Sequence, residues 1–353
     1  MTGVLIRREG RAGRITLNRP EALNALRHDM CLSIETALRT WACAPDIALV
    51  IIDGAGDKAF CAGGDIVSIY QAGILGEDDG AQAFWRDEYR LNALIADYPK
   101  PYLALMDGVV MGGGVGLSAH GSQRVVTERT LFAMPECAIG LIPDAGGSHL
   151  LARMPGRTGE YAGLTGARLA AADCLWAGLA DHYVPSGMLP ALIAQLCETG
   201  AAETVATFAG AAPASDLMAM QAEIDTLFAA PDLPEILTAL RASDSDFARA
   251  TLETIGRGAP LALLLALQTI RAARAGGGLK VALRTEYRVT SRAVREGEFI
   301  EGIRAALIDR DRQPRWRYPT SDAVPKALLD RMSLPAPGGD LVLSTDPIQQ
   351  EIP

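Results

Sequence analysis

The stretch "PYLALMDGVVMGGGVGLSAHG", Pro101 to Gly121, holds the reading of the fold. It opens on a continuous apolar run closed by Asp-Gly, which suits a strand buried on both faces. A glycine triplet follows, and then a helical pattern. The segment "IALVIIDG" (47–54) with "FCAGGDI" (60–66) repeats the arrangement of apolar strand, Gly-rich loop and helix. Glycines at a strand-to-helix junction let a ligand approach the backbone and leave the first helical amides unpaired. Two such loops can each lend one amide to a developing oxyanion.

Working outward, "RITLNRP" ends in a turn. A helix follows with Met30, Ile34, Ala37, Leu38 and Trp41 at helical spacing. "QRVVTER" and "TLFAMPE" supply two more strands. The chain is therefore α/β, with its loops on one side of the sheet. From about residue 200 the strand signals stop, and "DLPEILTALRAS", "PLALLLALQTIRAARAG" and "ALRTEYRVTSRAVREGEFIEGIRAALI" each read as helix. Three regions are expected: a catalytic core over 1–200, a helical region over 201–333 packed on it, and a loose tail over 334–353, rich in Pro, Gly and polar groups.

At 353 residues the chain can bury a large core, and a formal charge of −9 argues against a nucleic-acid partner. Six cysteines show no C-x-x-C spacing and four histidines no metal-ligand spacing, so no metal site is expected. The N-terminal residues read as neither signal peptide nor membrane anchor. The longest apolar run, Ala259 to Leu267, is far shorter than a membrane span. These features point to a soluble, cytoplasmic protein.

Acids stand where apolar residues are expected. Glu136 and Asp144 flank the otherwise apolar or small run "MPECAIGLIPDAGG" (134–147). On a helix over "AQAFWRDEYRLNALIADYPK", Glu88 shares a face with Phe84, Leu91 and Ile95, while Arg86, Asp87 and Arg90 are better placed to face water. A buried acid needs a partner or a reason. A structural ion pair would explain Glu88, and a helix N-cap would explain Asp144, since "PDAGGSHLLARM" reads as a helix start. Rival motifs are weak. "GVGLSA" and "GAGDKA" both fit a dinucleotide fingerprint, and neither lies in the first strand-helix unit. Ser118 is a poor nucleophile candidate, because "GLSAHG" places His120 where a nucleophile elbow needs glycine.

By "NRPEALNAL", "KAFCAGGDI" and "MDGVVMGGGVGL" the sequence resembles the enoyl-CoA hydratase/isomerase (crotonase) superfamily. By "FWRDEYRLN", residues 100–156 and "EFIEGIRAALIDRDRQPRW" it is most similar to the branch of 3-hydroxyisobutyryl-CoA hydrolases. The resemblance covers most of 3–200 and returns at about 280–316. It implies a crotonase-like spiral of β-β-α units (the ClpP/crotonase fold) with a C-terminal helical region.

The activity it implies is hydrolysis of a 3-hydroxyacyl-CoA thioester in valine degradation. The substrate is an acyl-CoA, and no cofactor is implied beyond the CoA that belongs to it. The resemblance maps the oxyanion-hole amides onto Ala62 and Gly113, and the site acids onto Glu88, Glu136 and Asp144. Gly63, Gly64, Asp65 and Gly112 belong to the same substrate-binding loops, and Arg27 is a guess for the CoA phosphates. Glu136 would attack the thioester or activate water, and Asp144 would accept a hydrogen bond from a 3-hydroxyl.

Hydratases of the superfamily carry a second catalytic glutamate where this chain has Gly116, which counts against hydration. Another acyl-CoA reaction, a non-catalytic acyl-CoA binder and a nucleotide-dependent oxidoreductase are the rival readings. Whether the chain forms a homo-oligomer is left open; superfamily members assemble as trimers or hexamers.

Overall fold

In the computed structural model, which describes residues 2–343, six strands form one sheet. They are β1 (Val4–Glu9), β2 (Ala12–Leu17), β3 (Leu49–Gly54), β5 (Tyr102–Met106), β7 (Gln123–Val126) and β9 (His182–Tyr183). The short strands β4 (Ala59–Cys61), β6 (Val109–Met111) and β8 (Leu131–Ala133) form a second sheet. Among these strands β1 and β2 pair antiparallel and the other pairings are parallel. Each turn of the chain lays one long strand in the first sheet and one short strand in the second, then crosses back through helix. This is the expected β-β-α spiral.

The apolar runs behave as strands covered on both faces. Along β3, Val50 and Ile52 join the main core, while Leu49 and Ile51 face a second core. Along β5, Tyr102, Ala104 and Met106 take the first side and Leu103 and Leu105 the second. Side chains alternate across a strand, so one uninterrupted apolar run serves two layers. The second layer is closed by the helix Leu189–Thr199, through Leu189, Leu192 and Leu196.

On the other face pack α1 (His28–Cys43), α2 (Ile66–Gly73), α3 (Asp79–Ala96), α4 (Gly113–Ser118) and α5 (Gly147–Ala152). α1 buries the five residues named from its spacing. α3 buries a wider stripe than expected, adding Trp85, Tyr89 and Asn92 to Phe84, Glu88, Leu91 and Ile95. Arg86 and Arg90 are exposed, and Asp87 is half-buried.

Beyond residue 200 the described residues form no strand. One buried cluster runs from Ile15 to Leu343, so the later helices share the interior of the core. The segment 282–308 is not one helix. It breaks after Ala293 and resumes as Phe299–Ile303 and a wider turn over Arg304–Ile308. Gly297 sits at the break, where a Cβ would lie 2.6 Å from the Ala293 carbonyl oxygen.

The tail also departs from expectation. Residues 344–353 lie outside the described residues, but 334–343 are docked. Leu341 and Leu343 are buried, Asp340 pairs with Arg288, and the Arg292 guanidinium donates to the carbonyls of Leu334 and Pro335. Composition marked this stretch as loose, whereas two arginines on the helix Gly278–Ala293 hold it down.

Candidate active site

The site begins with the turn in "NRPEALNAL". Leu23 and Asn24 are both left-handed, at φ 51° and 57°. The Asn24 side chain holds this turn to the next unit by donating to Ala55 O and Ala59 O at 3.0 and 2.8 Å. The turn then grips the first Gly-rich loop. Leu26 N–H donates to Gly63 O, and Asp65 N–H to Leu26 O, each at 2.8 Å.

Ala62 N–H donates to Leu23 O at 3.0 Å. Ala62 is therefore corrected as the first-loop oxyanion donor, because its amide is committed to the turn. Among the described residues the amides of Gly63 and Gly64 have no backbone partner, and that of Gly63 lies against the Cys61 thiol. These two glycines, unlike Ala62, keep their amides clear of the backbone network of the turn. Asp65 follows these glycines. Its carboxylate is paired with Arg19 at 2.9 Å, which suits holding the loop rather than holding substrate.

The second Gly-rich loop lies against the first. A Cβ on Gly63 would lie 3.4 Å from Met111 O and 3.9 Å from the Gly113 amide nitrogen. Gly113 opens α4, and its N–H has no partner among the described residues. The same loop receives two acids. The place of a Gly112 Cβ is 3.1 Å from Glu136 Oε1, and that of a Gly113 Cβ is 2.3 Å from Glu88 Oε1. Any larger residue at Gly113 would collide with Glu88, so the triplet makes room for carboxyl groups as well as exposing an amide.

Asp144 closes the site from the other side. The Tyr89 hydroxyl, on α3, donates to Asp144 Oδ2 at 2.5 Å and lies 3.3 Å from the Thr290 hydroxyl. Asp144 is not the helix cap. The N-cap of α5 is Gly146, and the cap is supplied from far along the chain by Glu286. Its carboxylate accepts from Gly146 N–H at 2.7 Å, from Ser148 N–H at 3.0 Å and from the Ser148 hydroxyl. The residue between, Ala145, is left-handed at φ 54°, and its carbonyl accepts from His120 Nε2 at 2.9 Å. A non-glycine residue held there stores about 1 kcal/mol or more of strain. His120 and Glu286 hold the loop in place.

Glu88, Glu136, Asp144 and Glu286 are all buried. Burial pushes Glu136 and Glu88 well above the usual carboxyl range, and the neighbouring Asp144 charge adds to both shifts. Burial also raises Asp144, to about 6, against the lowering effect of the Tyr89 hydrogen bond. Glu286 is pushed up to about 7 by burial, opposed by its bonds to Ser148 and Gly146. Asp144 is thus the acid best equipped to carry charge in the empty site. Glu136 Oε2 and Glu88 Oε1 are buried without a hydrogen-bond partner among the described residues.

Sequence reasoning missed Tyr89, Asn92 and Glu286. The signal that found Glu88 also applies to Glu286, an acid on a stripe formed by Leu283, Val289 and Ala293. Ser118 bonds back to Gly114 O within α4 at 2.7 Å, as a helix residue does. Arg27 is paired with Asp29 at 2.7 Å. A cavity of about 360 Å³ lined by His120, Arg124, His149 and Arg153 lies behind the Asp144 loop, away from the acids. The described cysteines are all free.

A family profile for enoyl-CoA hydratase/isomerase matches residues 12–332. The mitochondrial 3-hydroxyisobutyryl-CoA hydrolase of Gallus gallus is 41% identical over 96% of this chain and 91% of its own length. The human mitochondrial 3-hydroxyisobutyryl-CoA hydrolase is 40% identical over 89% of this chain and 84% of its own. Among solved structures, an enoyl-CoA hydratase from Rhodobacter sphaeroides superposes with a TM-score of 0.91 at 46% identity, covering 97% of this chain and all of that one. A carnitinyl-CoA dehydratase from Mycobacterium thermoresistibile superposes at 0.93 with 40% identity, covering 98% of this chain and all of that one.

Proposed function

The chain belongs to the enoyl-CoA hydratase/isomerase family, and on that premise we propose that it is an acyl-CoA thioester hydrolase whose substrate is a 3-hydroxyacyl-CoA, 3-hydroxyisobutyryl-CoA in the first place. The observation that supports hydrolysis most is Gly116. Hydration by two acids needs a second carboxylate at this position. Here a Cβ would meet Asn92 Nδ2 at 2.6 Å and Ala145 Cβ at 2.9 Å. The space for a second acid is filled, and Glu136 stands without that partner.

The chemistry suits the groups that remain. A thioester is already activated, so it needs an oxyanion site and a nucleophile. The carbonyl oxygen would sit against the Gly113 amide and the first-loop amide of Gly64, with that of Gly63 beside it. Glu136, once ionised, either adds to the carbonyl carbon or takes a proton from a water that adds. In both routes the C–S bond breaks and CoA leaves as a thiolate that takes up a proton of the water consumed. The first route passes through a mixed anhydride that water opens. The acyl group leaves as a carboxylate. Asp144, kept charged by Tyr89, would accept a hydrogen bond from the 3-hydroxyl; a site built for such a bond discriminates strongly against substrates that lack it. The reading calls on no metal or redox cofactor, and CoA enters as part of the substrate.

The vertebrate relatives are named as mitochondrial; the place in valine degradation is our proposal from the substrate, 3-hydroxyisobutyryl-CoA. The six free thiols suit a reducing compartment, of which the cytoplasm is one. Among the described residues no single helix is long and apolar enough to cross a membrane.

Hydration remains a second reading, favoured by the descriptions of the two solved relatives as hydratase and dehydratase. One experiment decides between them. Free CoA thiol is followed with 3-hydroxyisobutyryl-CoA, isobutyryl-CoA and crotonyl-CoA, for the wild type and Glu136→Gln. Fast release from the hydroxyacyl thioester, lost in the variant, supports the hydrolase. Loss of crotonyl absorbance with no thiol release overturns it.

A further inference from the structure

The carboxamide of Asn92 is fully buried, and neither its Nδ2 nor its Oδ1 has a hydrogen-bond partner among the described residues. Leaving a buried polar atom unpaired costs about 1–3 kcal/mol, and an asparagine side chain has both donors and acceptors to satisfy. Leucine has the same branching and the same number of side-chain heavy atoms and would carry no such cost. The amide therefore has an occupant to meet that the empty protein does not supply.

Its position says where that occupant lies. Asn92 follows Glu88 by one turn of α3, which puts both side chains on one helix face. Both face α4 where it has no Cβ: Glu88 over Gly113 and Asn92 over Gly116. Asn92 Nδ2 and Ala145 Cβ lie 2.6 and 2.9 Å from the place of a Gly116 Cβ, so the carboxamide adjoins the residue that follows Asp144. Tyr89, its neighbour on α3, is the donor to Asp144. A polar wall of Glu88, Tyr89 and Asn92 thus stands beside Asp144.

We propose that Asn92 is a second recognition residue for the hydroxyl on the acyl group, working beside Asp144. A carboxylate can only accept a hydrogen bond, so Asp144 takes the hydroxyl proton. Asn92 Nδ2–H donates to the lone pairs of that same oxygen, satisfying both sides of the hydroxyl. An alkoxy or plain acyl group satisfies only one of these contacts or neither. As a neutral amide Asn92 cannot take a proton from water. It fills the position of a hydratase's second acid without its chemistry. This inference rests on the hydroxyacyl-thioester reading above.

The test measures binding, so that it stands apart from turnover. Affinities for 3-hydroxyisobutyryl-CoA and isobutyryl-CoA are measured by calorimetry on Glu136→Gln and on Glu136→Gln/Asn92→Leu. The preference for the hydroxyl-bearing thioester is expected to fall by at least about tenfold in the double variant. An unchanged preference, or an equal loss of affinity for both thioesters, overturns the proposal. Should the leucine variant fail to fold, Asn92→Ala is read by the same ratio. Thiol release by the wild type is measured in parallel. Its absence sinks the hydrolase reading while the affinity ratio still decides the role of Asn92.

Discussion

Glu286 Oε2 accepts a hydrogen bond from the Gly146 amide at 2.7 Å, across a separation of 140 residues. This bond ties the loop that carries Asp144 to the helix Gly278–Ala293. The C-terminal helices are therefore part of the site, because they set where a site acid stands. Glu286→Gln keeps the shape but turns an amide NH2 toward one of the two backbone N–H donors. A loss of roughly 1–3 kcal/mol in stability is expected, together with a fall of about tenfold or more in kcat/KM as Asp144 loses its register. Urea unfolding and thiol-release assays on the purified variant check both.

The buried acids make stability and activity respond to pH in opposite directions. Glu286 and Asp144 have folded pKa values raised to about 7 and about 6 from 4.5 and 3.8. Between the unfolded and folded values the native state binds more protons, so its stability falls as pH rises. The contribution is full below about pH 4 and is lost by about pH 7, a change on the order of a few kcal/mol. Urea midpoints measured from pH 5 to 8 are expected to decline, and Glu286→Gln should flatten part of that slope.

The proposed mechanism requires an ionised Glu136, whose pKa is raised by burial and then by Asp144. The rate should accordingly rise with pH through a point above the ordinary carboxylate range. Asp144→Asn removes the neighbouring charge and should move that rising limb to lower pH, even as it weakens substrate selection. A pH profile of kcat/KM that begins near the ordinary carboxylate value in the wild type would contradict this account.

Tyr89 couples α3 to Asp144 through a single proton. Tyr89→Phe leaves the ring packing against Tyr287 intact but removes the donor. A buried acceptor that loses its partner costs about 1–3 kcal/mol. With the hydrogen bond gone, Asp144 is held neutral to higher pH. The expected outcome is a larger fall in kcat/KM for the hydroxyacyl thioester than for isobutyryl-CoA, measured side by side.

The same comparison shows what local sequence can and cannot say. The alternation of Val50 and Ile51 between two cores needs only a two-residue period, so an unbroken apolar run was enough to read a doubly covered strand. Glu88 was legible because an acid on an apolar stripe is costly. Glu286 obeys the same rule, yet its partners lie in another part of the chain, and no spacing within its helix points to Gly146. Ala62 failed for a different reason. Whether an amide is free depends on what the turn at Leu23 accepts, a fact of three dimensions that the motif "FCAGG" does not contain. The docked residues 334–343 were misread because composition registers flexibility but not the two arginines that hold the segment.

Gly116 offers the sharpest test of why this site would hydrolyse rather than hydrate. Restoring a hydratase-like acid by Gly116→Glu alone should fail. The new Cβ would stand 2.6 Å from Asn92 Nδ2 and 2.9 Å from Ala145 Cβ, inside contact distance of both. Such overpacking costs about 1–3 kcal/mol or more, and pushing Ala145 aside also displaces Asp144. The single variant should therefore lose stability and thiol release without gaining any action on crotonyl-CoA. Pairing it with Asn92→Gly empties the space on the α3 side and gives the glutamate somewhere to go. The double variant should recover part of the lost stability and bring a second carboxylate into the site with Glu136. Slow loss of crotonyl absorbance, absent in the wild type and in either single variant, would then follow from two acids holding one water. If the single Gly116→Glu variant hydrates crotonyl-CoA with no second change, the occupied space around Gly116 is not what bars that reaction.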